Sequence, residues 1–126
     1  MRVSAAVFGL AATRDLGIGQ RPRLLATYLD AIYPMVYPSH FGPGEYQIDD
    51  PDAQPGRTVS FALLAFRQKL EGRRAELVPW LQDFSLGRTY TPADVAQQVE
   101  AARRASTAGF MLWNALGVYT AGALAP

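Results

Sequence analysis

The sequence predicts an α/β fold with parallel strands, in the form of half a (β/α)₈ barrel with about four βα units. Short apolar runs alternate with segments of helical spacing, which is typical of strands joined by helical crossovers. The runs are continuously apolar, as parallel strands buried on both faces are. The length of 126 residues makes a single domain, 1–126. It is enough for half a barrel, because a complete barrel takes about 250 residues.

Four apolar runs are the strand candidates. Pro34 lies inside the second run, where it is tolerated only near the start of a strand, because proline cannot donate to the ladder. The runs and the helices between them give the order β-α-β-α-β-α-β, and right-handed crossovers then make the strands parallel. The runs are VSAAVFGL (3–10), IYPMVY (32–37), LVPWL (77–81) and FMLW (110–113).

Apolar spacing predicts the first two helices. The second spans 57–71 and ends before Gly72, a typical stop residue. Residues 38–56, rich in Pro, Gly and Asp, predict a long loop, and such loops are usually functional or disordered. The first helix is predicted from residues at i, i+3, i+4 and i+7, which are Leu25, Tyr28, Leu29 and Ile32.

The third helix has a defined start in the sequence. Thr91 is the predicted N-cap, Pro92 takes the first helical position, and Asp94 reaches back from the third. The helix is expected to end near Gly109, just before the last strand.

Composition excludes several function classes. The net charge of +1 gives no electrostatic reason to expect nucleic acid as a partner. Without cysteine there is no disulfide, thiolate nucleophile or Cys-ligated metal. No apolar run is long enough for a membrane span, and no signal peptide is recognisable, which fits a cytoplasmic chain or one truncated at its start. The short G-x-G at 17–19 does not support a dinucleotide site, so no cofactor and no metal are predicted.

Functional residues are expected at the carboxyl ends of the strands, where parallel α/β proteins build their sites. Aromatic side chains are dense there, mixed with carboxylates and amides. Such mixtures bind sugars, because aromatic faces pack on C–H bonds while polar groups bind hydroxyls. Glycoside hydrolysis also needs two carboxyl groups, about 5–5.5 Å apart for retention or 6.5–9.5 Å for inversion. The catalytic candidates are Asp83 and Glu45, and the substrate-binding candidates are Tyr37, His40, Trp80, Gln82, Trp113 and Asn114.

Each candidate also has a structural alternative. Asp83 either enters a site or caps the next turn through the amides of Ser85 or Leu86. Glu45 is either catalytic or a solvated loop acid, and the two tryptophans belong either to the core or to a ligand surface. His40 is the only histidine and has no nucleophile motif beside it, which favours a structural or substrate-contacting role over a catalytic triad.

Four segments resemble a family of bacterial glycoside hydrolases with a TIM-barrel fold, related to α-amylase-like enzymes. They are 3–20, 28–46, 79–90 and 109–120, in the family's order and spacing. The resemblance implies that this chain corresponds to the C-terminal half of such a barrel.

The resemblance also carries particular residues over. Asp83 matches the acid of W-L-Q-D-F, while M-V-Y-P-S-H covers Tyr37 and His40 and M-L-W-N covers Trp113 and Asn114. One departure concerns the family pattern V-S-x-D-V-F-G, because Ala6 stands at the position of its acid. The resemblance implies that this acid is one of two catalytic carboxylates, so Asp83 lacks that partner here.

Three functional hypotheses follow. The first is a glycosidase-type domain acting on a polysaccharide, with Glu45 or a carboxylate from a missing N-terminal half-barrel as the partner of Asp83. The second is a non-catalytic carbohydrate-binding or remnant domain. The third is a half-barrel that dimerises, since open strand edges invite pairing.

Overall fold

The computed structural model describes residues 1–126 and shows one parallel sheet of five strands with helices between them. The strand order is β1-β2-β4-β5, with β3 also pairing with β2. This arrangement confirms the predicted α/β fold and is consistent with a half-barrel of about four βα units. The strands are β1 (Ser4–Phe8), β2 (Ala31–Met35), β3 (Glu76–Leu77), β4 (Trp80–Gln82) and β5 (Met111–Trp113). The helices are α1 (Pro22–Leu25), α2 (Pro55–Leu70) and α3 (Pro92–Arg104).

The third predicted strand is divided in two. β3 and β4 both run parallel to β2, and the two residues between them lie outside the strands, although Val78 N still donates to the Ile32 carbonyl. Pro79 has no N–H to donate, although its carbonyl oxygen still accepts a hydrogen bond from Met111 N. β3 therefore pairs with β2, and β4 pairs with both β2 and β5.

The two faces of the sheet differ. On one face, Val7, Ile32 and Leu81 are buried in the hydrophobic core against α2 and α3. The register turns the alternate residues of each strand to the opposite side, which we call the open face. The open face is mostly apolar, and the exposed side chains on it include Phe8 and Trp113. Its larger and central members are Ala6, Phe8, Tyr33, Met35, Trp80, Met111 and Trp113.

The prediction of the first helix is wrong. α1 is a single turn, and Tyr28, expected on its buried face, is 78% exposed. Ile32 lies within β2 instead and is fully buried. The cause is Asp30, whose carboxylate accepts a hydrogen bond from Val3 N and whose own N–H donates to the Val3 carbonyl. These bonds draw the chain into the sheet before a longer helix can form.

The start of α3 is confirmed. Thr91 Oγ1 accepts a hydrogen bond from Asp94 N, and Asp94 Oδ2 accepts one from Thr91 N at 2.8 Å. The helix ends at Arg104 rather than near Gly109, because Arg67 of α2 binds the carbonyl oxygens of Ala105 and Ser106. None of the helices is long and apolar enough to cross a membrane.

The long segment 38–56 is ordered by its own buried residues. It contains two 3₁₀ turns, Pro38–His40 and Glu45–Gln47. Ile48 is fully buried and Phe41 nearly so, which holds the segment against the domain. It therefore forms a fixed wall beside the carboxyl end of β2.

Candidate sugar-binding site

The candidate site lies at the carboxyl ends of the strands, as the fold class predicts. Asp83 directly follows β4, Trp113 ends β5, and His40 lies in the 3₁₀ turn after β2. The parallel pairing brings these positions to one edge of the sheet, because the carboxyl ends of parallel strands meet there.

Asp83 is buried, with 5% exposure, and holds the C-terminal segment. Its Oδ1 accepts a hydrogen bond from the Thr120 hydroxyl and its Oδ2 one from Thr120 N, both at 2.7 Å. Its own N–H donates to the carbonyl oxygen of Trp113. The expected alternative, a cap through the amides of Ser85 or Leu86, is not formed. Both carboxylate oxygens are instead occupied by a residue far along the chain.

The buried side chain of Gln82 joins the segment after β2 to the segment after β4. Its Oε1 accepts hydrogen bonds from Ser39 N and Ser39 Oγ, and its Nε2 donates to the Phe84 carbonyl. Gln98 of α3 binds both the N–H and the carbonyl of Gln82. Since Gln82 is fully buried, it presents no surface to a sugar in this arrangement.

Asn114 fixes the turn after β5. Its Nδ2 donates to the Asp83 carbonyl at 2.5 Å, and its Oδ1 accepts a hydrogen bond from Leu116 N. The side-chain amide therefore joins the end of β4 to the start of the C-terminal segment. Like Gln82, it positions the site more than it faces a ligand.

Trp80 and Trp113 form an aromatic pair across β4 and β5. Their rings meet edge to face, with centroids 5.9 Å apart and planes at 83°. Trp80 is half-buried on the open face, whereas Trp113 is 44% exposed. One ring thus supports the other, and the outer ring is accessible to a ligand.

Tyr37, His40 and Phe84 form a second aromatic group. The Tyr37 ring packs edge-on against His40 at 5.2 Å and against Phe84 at 5.3 Å. Tyr37 is buried, and burial raises the pKa of its hydroxyl to about 12. His40 is exposed. Tyr37 thus supports the group from within, and His40 is the member that a ligand can reach.

A cavity of about 340 Å³ opens beside His40. It is mostly apolar and lies where β1 and β2 end. The wall of the cavity has no room for a side chain at Gly9, because a Cβ there would lie 2.7 Å from the Met35 carbonyl oxygen and 2.8 Å from the Phe41 ring. The cavity is lined by Phe8, Gly9, Leu10, Leu16, Met35, His40 and Phe41.

Glu45 belongs to a separate network. Its carboxylate pairs with the Arg14 guanidinium at 2.6 Å, and its side chain is largely covered. Asp83 and Glu45 share no hydrogen-bond partner, since the first binds Thr120 and the second Arg14. The structure therefore does not join the two predicted catalytic carboxylates. No group of three or more His, Asp or Glu side chains lies close enough together to hold a metal ion.

Residues 1–119 match a family described as a putative glycosyl hydrolase domain. The chain belongs to this family. Comparison with curated proteins and with solved structures gives no match. The glycosyl hydrolase family thus agrees with the resemblance carried by the sequence motifs at the strand ends.

Sequence reasoning missed residues that shape this candidate site. Gln98 had a signal, because a polar residue beside Val95 and Val99 interrupts the buried stripe of α3. Thr120 had none, since the segment after Gly117 carries no clear pattern. Arg14 had none either, because its pairing with Glu45 depends on the fold.

Proposed function

We propose that this glycosyl hydrolase family member binds a polysaccharide at the carboxyl ends of its strands. The observation that carries the proposal is the exposed ring of Trp113, held at the edge of the sheet by Trp80. A sugar presents C–H bonds on its ring faces, and an immobilised aromatic ring offers a matching surface at low entropic cost.

Other groups at the same end of the sheet suit a glycan. Phe8 is 46% exposed and lines the cavity beside His40, so it offers a further apolar surface. The exposed imidazole of His40 can donate to or accept from a hydroxyl group. Small-molecule sites are usually apolar cavities with a few polar groups.

Hydrolysis of a glycosidic bond is the second candidate function. It is favoured by the family and by Asp83, a buried carboxylate bonded through its N–H to the carbonyl of Trp113. Two features make hydrolysis the second candidate function and sugar binding the first. Both oxygens of Asp83 are engaged by Thr120, and Glu45 lies in a different network, whereas the reaction needs two carboxyl groups at defined separation.

Binding is tested by calorimetric titration with a panel of neutral polysaccharides. We expect Trp113→Ala to weaken the affinity at least tenfold, which corresponds to about 1.4 kcal/mol. The matched control is Leu64→Ala, which removes an apolar side chain of similar exposure from α2 and leaves the affinity unchanged. Failure of the wild-type chain to bind any glycan, or equal losses in both variants, would overturn the proposal.

Hydrolysis is tested by measuring reducing ends released from each polysaccharide that binds. We expect Asp83→Asn to abolish release while the affinity stays within about twofold, because Asn keeps the shape of the side chain and an acceptor for Thr120 N. Asp52→Asn, in the segment before α2, is the control and keeps full activity. Release by Asp83→Asn at the wild-type rate excludes Asp83 as a catalytic residue.

A further inference from the structure

The cationic residues of the chain are unevenly distributed. The net charge is only +1, with 12 cationic residues and 11 acids. Five of the 12 cationic residues nevertheless line one cavity of about 570 Å³, whereas Asp15 is the only acid that does so. The rest of the chain therefore carries an excess of acids. The five residues that define this cavity, which we call the cationic cavity, are Arg14, Arg21, Arg23, Lys69 and Arg73.

The cationic cavity is built from the segment after β1 and from the end of α2. Ala11 and Ala12, in the 3₁₀ turn after β1, and Pro22, the first residue of α1, belong to its wall, and all three are buried. The five cationic side chains around them are exposed. The cavity thus combines a buried apolar wall with charges that a ligand can reach, and its volume is typical of a small-molecule site.

Most of the positive charge in the cationic cavity is not neutralised within the chain. The structure contains four ion pairs, and only Arg14 among the five cations takes part in one, with Glu45 at 2.6 Å. Asp15 accepts a hydrogen bond from Gly17 N and pairs with no cation. Arg21, Arg23, Lys69 and Arg73 are therefore without a carboxylate partner, and an anion bound in the cavity would supply one.

Arg23 is held in place by the end of α2. Its Nη1 donates to the carbonyl oxygens of Lys69 and Glu71, the latter at 3.1 Å. The carboxyl end of a helix attracts cations, which explains this contact and also favours Lys69. It does not explain Arg14 and Arg21, which belong to the segment after β1. A guanidinium has five N–H donors, so Arg23 keeps Nε and Nη2 for a bidentate anion.

The cationic cavity is a neighbour of the cavity beside His40. Gln20 lines the cationic cavity, and its Oε1 accepts a hydrogen bond from Phe8 N at 2.7 Å, while Phe8 lines the cavity beside His40. Asp15 and Leu16, adjacent in sequence, likewise line one cavity each. A ligand bound at the strand ends would therefore meet the cationic cavity as its next contact surface.

We propose that the cationic cavity binds the anionic groups, carboxylate or sulfate, of an acidic polysaccharide. The inference rests on the proposed sugar binding for the polysaccharide and on the five cations for its charge. Four of the five are arginines, whose planar guanidinium groups bind oxyanions through two parallel hydrogen bonds.

The placement of the two contact surfaces favours a polymer over a single sugar. Trp113 ends β5, and the cationic cavity adjoins the segment after β1, while these strands are the last and the first in the order of the sheet. They are three strand spacings apart, roughly 14 Å. A ligand that packs on Trp113 and also places an acid group in the cationic cavity must therefore extend over several sugar residues.

Two matched pairs of polymers test the proposal by calorimetric titration. The first is an oligogalacturonate with its methyl ester, and the second is dextran sulfate with dextran, so that only the charge differs within each pair. We expect a charged member to bind at least tenfold more tightly than its neutral counterpart. This advantage should disappear at about 1 M salt, where charges are screened beyond about 3 Å. The pair that shows it identifies the anionic group. Equal affinities within both pairs, or no binding of either charged polymer, contradict the proposal.

The double variant Arg21→Gln, Arg73→Gln locates the anion. Both side chains are exposed and neither forms an ion pair, so we expect the variant to fold. It should bind the charged polymer at least tenfold more weakly and leave the affinity for the neutral one unchanged. The control Arg74→Gln, Arg104→Gln removes the same net charge outside the cavity and should weaken binding less than about threefold. Equal losses in the two double variants place the anion elsewhere and reject the cationic cavity as its site.

Trp113→Ala separates this proposal from the proposed sugar binding. If the sugar contact is wrong, Trp113→Ala has no effect on either polymer, whereas the preference for the charged one still depends on Arg21 and Arg73. If the cationic cavity is wrong, Trp113→Ala weakens both polymers equally and the substitutions at Arg21 and Arg73 change nothing.

Discussion

Asp83 binds Thr120 through both carboxylate oxygens, one to the hydroxyl and one to the backbone N–H, each at 2.7 Å. The segment that follows β5 is otherwise exposed over Leu116–Tyr119. This bidentate contact therefore fixes the C-terminal segment over the end of β4, and it keeps the strongest catalytic candidate away from solvent.

Thr120→Val should destabilise the fold. The variant removes the hydroxyl and leaves Asp83 Oδ1 buried without its partner, which costs about 1–3 kcal/mol. The free energy of unfolding in urea measures the change. Thr27→Val, whose hydroxyl makes a long and exposed bond to Arg23 O, should change stability by less than about 0.5 kcal/mol. Equal effects of the two variants would show that the contact with Asp83 contributes little.

Gln98→Ala should cost more than any exposed substitution on α3. Gln98 makes two buried hydrogen bonds to the backbone of Gln82, and its loss leaves both backbone groups unpaired. We expect a loss of about 2–4 kcal/mol, read from chemical denaturation. Gln97→Ala, one position earlier and exposed, is the control and should be nearly neutral. A loss below about 1 kcal/mol would mean that water replaces these bonds.

Gly9→Ala should disturb the cavity beside His40. A Cβ at Gly9 would overlap the Met35 carbonyl oxygen, which belongs to the backbone of β2 and cannot turn aside. Overpacking of this kind costs about 1–3 kcal/mol, measurable as a lower thermal midpoint. Gly42→Ala is the control, because nothing lies within 4 Å of a Cβ there. An unchanged midpoint for Gly9→Ala would show that β2 yields at this point.

Alkaline pH should weaken the fold through its buried tyrosines. Burial raises the pKa of Tyr37 and Tyr46 from 10.0 to about 12, so the folded chain retains protons that the unfolded chain releases. Stability is then full below pH 10 and falls as the pH rises toward 12. Urea unfolding at about pH 8 and about pH 11 measures the fall. Tyr37→Phe should reduce it, whereas Tyr28→Phe, at an exposed position, should not.

Local patterns predicted much of the fold. The capping residues Thr91 and Asp94 are only three positions apart in sequence, so their hydrogen bonds could be predicted without knowledge of the tertiary structure. The apolar runs likewise marked the strands. Tyr28 was assigned wrongly to a helix, and Ile32, which was predicted both for that helix and for the second strand, lies only in the strand. Apolar residues at helical spacing also occur where a turn leads into a strand. The hydrogen bond from Val3 N to the Asp30 carboxylate, which favours the strand over the helix, joins residues that are distant in sequence.

The candidate site was less predictable, because its contacts are long-range. The strand ends correctly indicated where Asp83, Trp80 and Trp113 would lie. Which atoms meet them depends on how α3 and the C-terminal segment pack, and no periodic pattern marks Thr120 as a partner. The roles of Gln82 and Asn114 as structural supports followed only from their hydrogen bonds.

The contact between Asp83 and Thr120 also bears on how the protein is made. The two residues are 37 positions apart, so a ribosome must add that many residues after Asp83 before its carboxylate finds a partner. During synthesis the nascent chain therefore carries β4 with an uncompensated acid at its end. This strand end is therefore completed only after β5 and the segment that follows it have been synthesised.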